Sequence, residues 1–186
     1  MKIAIISAGF SSADLDFDSI EADQIISVNI AATKSPCDYW VFNDAEAFAK
    51  WGGRVGSPVF FTRKIVHRHL EQLTKYRGLG LDLKIHNHPL VYQDDIHSPV
   101  EQWNLYSGCA ALGLAWYLGA TEILLYGYDM GGDRDCSGGS CSQGRTAERW
   151  INERVVFDRW LKFFEATFVS VDWVIDGVQN QSNHQR

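Results

Sequence analysis

The sequence predicts an α/β domain built on a mostly parallel sheet. Three observations carry that prediction. Short, nearly continuous apolar runs recur along the chain, helical stretches lie between them, and the runs end in Gly, Ser, Asn or Asp. A strand that is apolar on both faces is covered on both faces, which is the habit of parallel sheets. Alternation of strands with helices implies crossover connections and parallel pairing. The expected fold class is therefore α/β, Rossmann-like, with about six or seven strands and helices on both faces.

Taken in order, residues 2–7 read as the first strand, closed by Ala8-Gly9-Phe10-Ser11. Residues 25–29 are the second strand, and residues 38–42 the third, ending in Asn43-Asp44. Residues 58–62, 81–86, 122–126 and 168–174 complete the expected set. Residues 63–77 read as a helix, with Ile65, Val66, His69, Leu70, Leu73 and Tyr76 on one side. Residues 107–118 form a second helix, rich in the small residues Gly108, Ala110, Ala111, Gly113 and Ala115, so it can approach the sheet closely. Residues 145–166 place Trp150, Phe157, Trp160, Leu161 and Phe164 along one stripe at helical spacing. Residues 88–99 and 131–144 read as irregular. The expected organisation is one domain over residues 1–178, followed by a polar, frayed tail over 179–186.

Bulk properties narrow the function classes. The 186-residue chain has a formal net charge of −6 and no run of Lys or Arg. That argues against a dedicated duplex-binding protein, whose affinity rests on neutralising phosphates. No apolar run approaches the roughly 20 residues of a membrane span. Only Ile3-Ala4-Ile5-Ile6 follows Met1-Lys2, which is too short for a signal peptide core. Cys37, Cys109, Cys136 and Cys141 are scattered. A reduced, cytoplasmic protein is the expectation, in the host cytoplasm if phage-encoded.

In an open α/β sheet, ligands bind beyond the carboxyl ends of the strands. The residues there are Ser7 to Ser11, Asn29, Asn43-Asp44, Arg63-Lys64, His86-Asn87-His88 and Gly127-Tyr128-Asp129. Gly9 can bring backbone close to a ligand, and Ser11 can donate or accept a hydrogen bond. The plain alternative is a turn in which Ser11 or Ser12 caps a short helix. The first turn lacks a full G-x-G-x-x-G, so it gives little support to NAD or FAD. Ser107-Gly108 opens a helix, whose free N–H groups and dipole suit an anion, although Ser107 can equally serve as an N-cap. Asn29 offers a donor and an acceptor to a ribose or base edge, or simply ends a strand.

The order of Ser107-Gly108, a small-residue helix, Leu118-Gly119, a strand, and Gly127-Tyr128-Asp129 resembles a segment of the bacterial sialyltransferases. It is also similar to proteins like the archaeal 6-hydroxymethylpterin pyrophosphokinase, and to short bacteriophage proteins. The first turn and the strand ending at Asn29 share the resemblance, which covers residues 1–44 and 105–130. In the sialyltransferases these positions contact the cytidine nucleotide. The resemblance therefore implies nucleotide-binding roles for Gly9, Ser11, Asn29, Ser107 and Gly108. It implies glycosyl transfer from a cytidine-type sugar nucleotide to an acceptor, with no required cofactor. The alternatives are a Mg-dependent pyrophosphokinase-like enzyme, with Asp129 at the Mg²⁺, or a non-catalytic nucleotide-binding module.

One departure from that family concerns the base. The sialyltransferases carry a histidine after the strand that ends in Gly-x-Asp, whereas here the only histidine beyond Asp129 is His184. The substitutes at strand ends are His86, His88, Asp44 and Asp129, with His86 first because it titrates near neutrality. Arg63 is placed by position to meet phosphate, and Arg145, Arg149 and Arg154 offer further guanidinium groups. His86 and His88 share a face as half a metal site, but no third ligand is evident and a polar loop is the simpler reading. Cys136 and Cys141 fall in a glycine- and serine-rich loop placed to act as a lid.

Overall fold

In the computed structural model of the protein, residues 1–43, 47, 50–56, 59–62, 90–92, 106–132, 134–139, 147–175 and 178–180 are described. Eight strands form one sheet: β1 (Lys2–Ile6), β2 (Gln24–Val28), β3 (Tyr39–Val41), β4 (Val59–Thr62), β5 (Leu90–Tyr92), β6 (Glu122–Tyr126), β7 (Ser170–Ile175) and β8 (Val178–Asn180). Their order is β5-β4-β3-β2-β1-β6-β7-β8. The central β3-β2-β1-β6-β7 is an open, all-parallel body of five strands. At one edge β4 and β5 continue the parallel pairing, and at the other β8 turns back antiparallel.

Neither the five-strand body nor the full sheet matches the expected six or seven strands, while the mostly parallel α/β character holds. Two short strands account for the difference. β5 falls in a stretch read as irregular, and β8 includes residues assigned to a frayed tail. Each has only three residues, too few for an apolar alternation to register. The expected helix over 63–77 and strand over 81–86 lie outside the described residues.

The strands form where the apolar runs are because each pleat must hide both faces. Ile3, Ile5, Ile26, Val28, Ile123 and Leu125 pack on one face against α1 (Ser107–Tyr117) and α2 (Ala147–Ala166). Residues Gly108 to Ala115 of α1 are all buried, which suits a helix that is apolar all round. In α2, Phe157, Trp160 and Phe164 are fully buried, and Phe157 meets Tyr128 and Trp173 at ring distances of 5.4 and 5.2 Å. The opposite face, with Ala4, Ile6, Leu124 and Tyr126, packs against Ile30, Ala31, Leu15, Phe17, Ile20 and Cys136. Both α1 and α2 lie on one face, while the other is covered by 3-10 turns, loops and Trp51, which is one of the helical positions 47, 50 and 51.

One consequence of this topology positions the site. After β1 the chain steps to β2 on one side, and it later returns to β6 on the other side of β1. Such a reversal of strand order is where an open α/β sheet offers a crevice at its carboxyl edge.

Candidate functional site

The loops after β1 and β6 are sutured together. Ser7 N donates to Tyr126 O at 2.8 Å, and Gly9 N donates to Gly127 O at 2.9 Å. A Cβ on Gly9 would lie 2.3 Å from Gly127 O, so glycine is required by this loop-to-loop contact. Gly127 matches it, with φ +69° and a hypothetical Cβ 2.5 Å from Ser7 O. Asp129 then reaches back over the first turn. Its carboxylate accepts from Ser11 N at 3.0 Å and from Ser11 Oγ. Ser11 caps no helix; Gly9 is the N-cap of the 3-10 turn Phe10–Ser12, with no side-chain cap bond.

Asn29 follows β2 in a left-handed conformation, φ 50°. Asparagine tolerates that region better than most residues. The indole Nε1 of Trp40 donates to Asn29 O at 2.9 Å and holds the turn in place. The side-chain Oδ1 of Asn29 is buried and has no hydrogen-bond partner. A buried acceptor left unpaired costs about 1–3 kcal/mol, so this atom favours any donor brought to it.

Across the crevice is the start of α1. The N-cap is Tyr106, not Ser107, and no side chain caps the helix. Ser107 is thus the first helical residue, and its side chain is not used as a cap. The first N–H groups of a helix have no intrahelical acceptor. Gly108 has a packing reason to be glycine. A Cβ there would sit 3.2 Å from the Tyr128 ring, and Tyr128 Oη donates to Gly108 O at 2.9 Å. Burial above all, with the charge of Glu153 adding to it, keeps the Tyr128 phenol protonated well above its ordinary range.

These elements enclose a polar cleft of about 80 Å³. Gly9, Asn29, Ser107, Gly108 and Asp129, far apart in the chain, all line it. Ser11 stands behind it through Asp129. Asp44, Arg63, His86 and His88 lie outside the described residues. The cleft also contains Arg134, Arg149, Trp150 and Glu153, of which only Arg149 was weighed as a ligand group from sequence. The Arg149 guanidinium lies 5.8 Å from the Tyr106 ring centroid, a cation–π contact beside the start of α1. A cleft of this volume takes a phosphate or a ribose; drug-sized ligands occupy pockets of roughly 300–1,000 Å³. A larger hollow, about 490 Å³, runs along β7 beneath the last turns of α2, away from the strand ends that carry the polar residues.

The described part of the loop after β6, residues 127–132 and 134–139, is tied down. Cys136 is 1% exposed and packs under the sheet. Cys136 N donates to Ala8 O at 3.0 Å, and Lys34 Nζ donates to Cys136 O. Asp135 Oδ1 accepts from Ser137 N at 2.8 Å and Gly139 N at 3.1 Å. Cys136 is a free thiol, and Cys141 lies outside the described residues. Among the described residues no three His, Cys, Asp or Glu side chains gather to hold a metal ion. No described helix is long and apolar enough to cross a membrane.

No family model matches the chain, and no curated protein matches its sequence. Solved structures do share its fold. The sialyltransferase CstII from Campylobacter jejuni, in complex with the substrate analogue CMP-3FNeuAc, superposes with a TM-score of 0.58 at 14% identity, over 94% of this chain and 81% of that one. The sialyltransferase CST-II with a trisaccharide acceptor and CMP gives 0.57 at 15% identity, over 94% and 81%. CstII from Campylobacter jejuni with cytidine-5'-monophosphate gives 0.53 at 15% identity, over 94% and 79%. At these identities the likeness is one of fold, and the fold is sialyltransferase-like. These structures lend no support to the pyrophosphokinase-like or phage-type alternatives.

Proposed function

We propose that the protein binds a cytidine-type nucleotide in the cleft between β1, β2, β6 and α1, and transfers a sugar from it to an acceptor hydroxyl. The observation that carries this reading is Asn29. Asn29, whose Oδ1 is buried and unpartnered, lines the same cleft as Ser107 and Gly108 at the start of α1. An acceptor that lacks a donor, together with helix N–H groups that have no intrahelical acceptor, suits a ligand with both a polar base or ribose and an anionic phosphate. Neighbours of this fold bind CMP or a CMP-sugar analogue.

In this reading Asn29 takes a hydrogen bond from the base or ribose. The N–H groups at Ser107 and Gly108 receive the phosphate, and Gly9 and Ser11 shape the wall beside it. As the bond from sugar carbon to phosphate oxygen breaks, negative charge collects on the departing nucleotide. Fixed N–H dipoles at a helix start stabilise that charge without reorganising. Arg63 is proposed as a further phosphate contact. His86, His88, Asp44 and Asp129 are the bases proposed from position in the sequence. Asp129 is the weakest of these, because Ser11 already occupies both its oxygens.

The test is turnover. A CMP-activated sialic acid is incubated with the protein and a panel of saccharide acceptors, and release of CMP is followed. Acceptor-dependent release supports the reading. Binding of CMP with no release for any donor leaves a nucleotide-binding module instead.

A further inference from the structure

The loop after β6 turns back across the strand ends and brings an arginine to the cleft. Gly127, Met130 and Gly132 are all left-handed there, with φ of 69°, 51° and 89°. Glycine takes that region freely, whereas Met130, which carries a side chain, takes it at a cost. Backbone held in so unfavourable a region gathers at ligand sites, and Met130 lines the cleft. The returning chain is then fixed to the first turn. Asp135 forms an antiparallel bridge with Gly9, and Cys136 N donates to Ala8 O at 3.0 Å. Arg134 immediately precedes this anchored pair, so its backbone is held beside the first turn while its side chain is exposed.

Arg134 lines the cleft together with Gly9, Asn29, Ser107 and Gly108. Among the described residues no hydrogen bond or ion pair holds its guanidinium. The charges near it are otherwise occupied. Asp129 accepts twice from Ser11, and the Arg149 guanidinium lies 5.8 Å from the Tyr106 ring centroid. The buried, unpartnered Oδ1 of Asn29 independently calls for a ligand in the same cleft. An open arginine fork beside it suits an anion that offers two oxygens side by side.

We propose that Arg134 grips the phosphate of the nucleotide, an inference that rests on the glycosyl-transfer reading above. Its planar fork meets two phosphate oxygens, which the point charge of a lysine does not reproduce. In the transfer, the bond from sugar carbon to phosphate oxygen breaks and its electron pair stays on that oxygen. The acceptor hydroxyl oxygen bonds the carbon, and the acceptor proton passes to one of the bases named above. Arg134 donates to the phosphate as charge collects on it, so it acts on turnover as well as on binding. The phosphate is chosen over the carboxylate of the sugar because Arg134 shares its small cleft with Ser107 and Gly108 at the start of α1.

Calorimetry with CMP and with cytidine, at low and high salt, tests it on the full chain. Arg134→Gln should lose roughly 10–100-fold in CMP affinity and stay within about twofold for cytidine, which lacks the phosphate. Its CMP affinity should also depend less on salt. Arg134→Lys, which keeps the charge but not the fork, should fall between. With a CMP-activated sialic acid, Arg134→Gln should lose on the order of 10²–10³-fold in kcat. Both variants should melt with the unaltered protein, because the replaced side chain is exposed. Unchanged CMP affinity in Arg134→Gln overturns the proposal, as does an equal loss for cytidine and CMP. A loss confined to the sialic acid donor, with CMP unaffected, overturns it in favour of the sugar carboxylate. If the unaltered protein binds CMP but turns over no donor, the part in turnover falls and the CMP arm alone decides the phosphate contact. If the unaltered protein does not bind CMP, the functional reading falls and this assignment with it.

Discussion

Ser11 and Asp129, 118 residues apart, are joined by two hydrogen bonds that fold the loop after β6 over the turn after β1. The carboxylate acts as a clasp across the strand ends. Asp129→Ala should lower stability by about 1 kcal/mol, since charge-assisted bonds at an exposed site are worth little more. That corresponds to a fall in Tm of roughly 2–4 °C for a chain of this size. CMP affinity should weaken with it, because the clasp shapes the cleft wall. Thermal melts and calorimetry check both. An Asp129→Asn protein that melts and binds CMP normally but does not turn over would make Asp129 the base instead of a clasp.

Two glycines with different surroundings should respond differently to alanine. Gly9 cannot gain a Cβ without displacing the Gly127 carbonyl, which is backbone. Gly9→Ala should cost at least the about 1–3 kcal/mol of overpacking. Gly119 has φ +82° but nothing within 4 Å of a Cβ. Gly119→Ala should cost only the about 1–2 kcal/mol of a left-handed conformation. Urea titrations of the two variants rank them. Equal losses would mean that the loops after β1 and β6 separate easily.

Asn29→Gly separates binding from stability. Glycine adopts φ 50° freely and removes the buried, unpartnered Oδ1. The variant should melt at or above the temperature of the unaltered protein, and CMP affinity should fall about tenfold, the equivalent of one hydrogen bond of about 1.4 kcal/mol. A clear loss of stability with CMP affinity intact would show Asn29 to be a turn residue only.

Alkaline pH should destabilise the fold. Burial pushes the Cys37 thiol from 9.0 up to about 11, against hydrogen bonding to Ser27, and burial also raises Cys136, Cys109 and Tyr126. The native chain therefore holds these protons after the unfolded chain has released them. Stability is full below the unfolded thiol value and is lost as pH rises through the folded one, a window from about 9 to about 11 for Cys37. Urea midpoints at neutral pH and across that window measure it. A flat profile would mean that the thiols ionise in place.

Much of this was legible because the signals were local. The central strands are apolar runs long enough to declare themselves, and the polar residues at their ends fall at one edge once the sheet is parallel. β5 and β8 escaped because three residues carry no period. The packing reason for two glycines was not legible: the nearest obstacles to a Cβ on Gly9 and Gly108 are Gly127, Asp129 and Tyr128, more than fifteen residues away in sequence and unpredictable without pairing. Glu153 lines the cleft from a seam position of α2, where a charge stands out among aromatic residues.

Calorimetric titration of the unaltered protein with CMP, ATP and NAD tests the central claim most directly. Saturable one-site binding that is tightest for CMP, and weakened in Asn29→Gly, is the predicted result. Tightest binding of NAD, or no binding of CMP, would contradict the account.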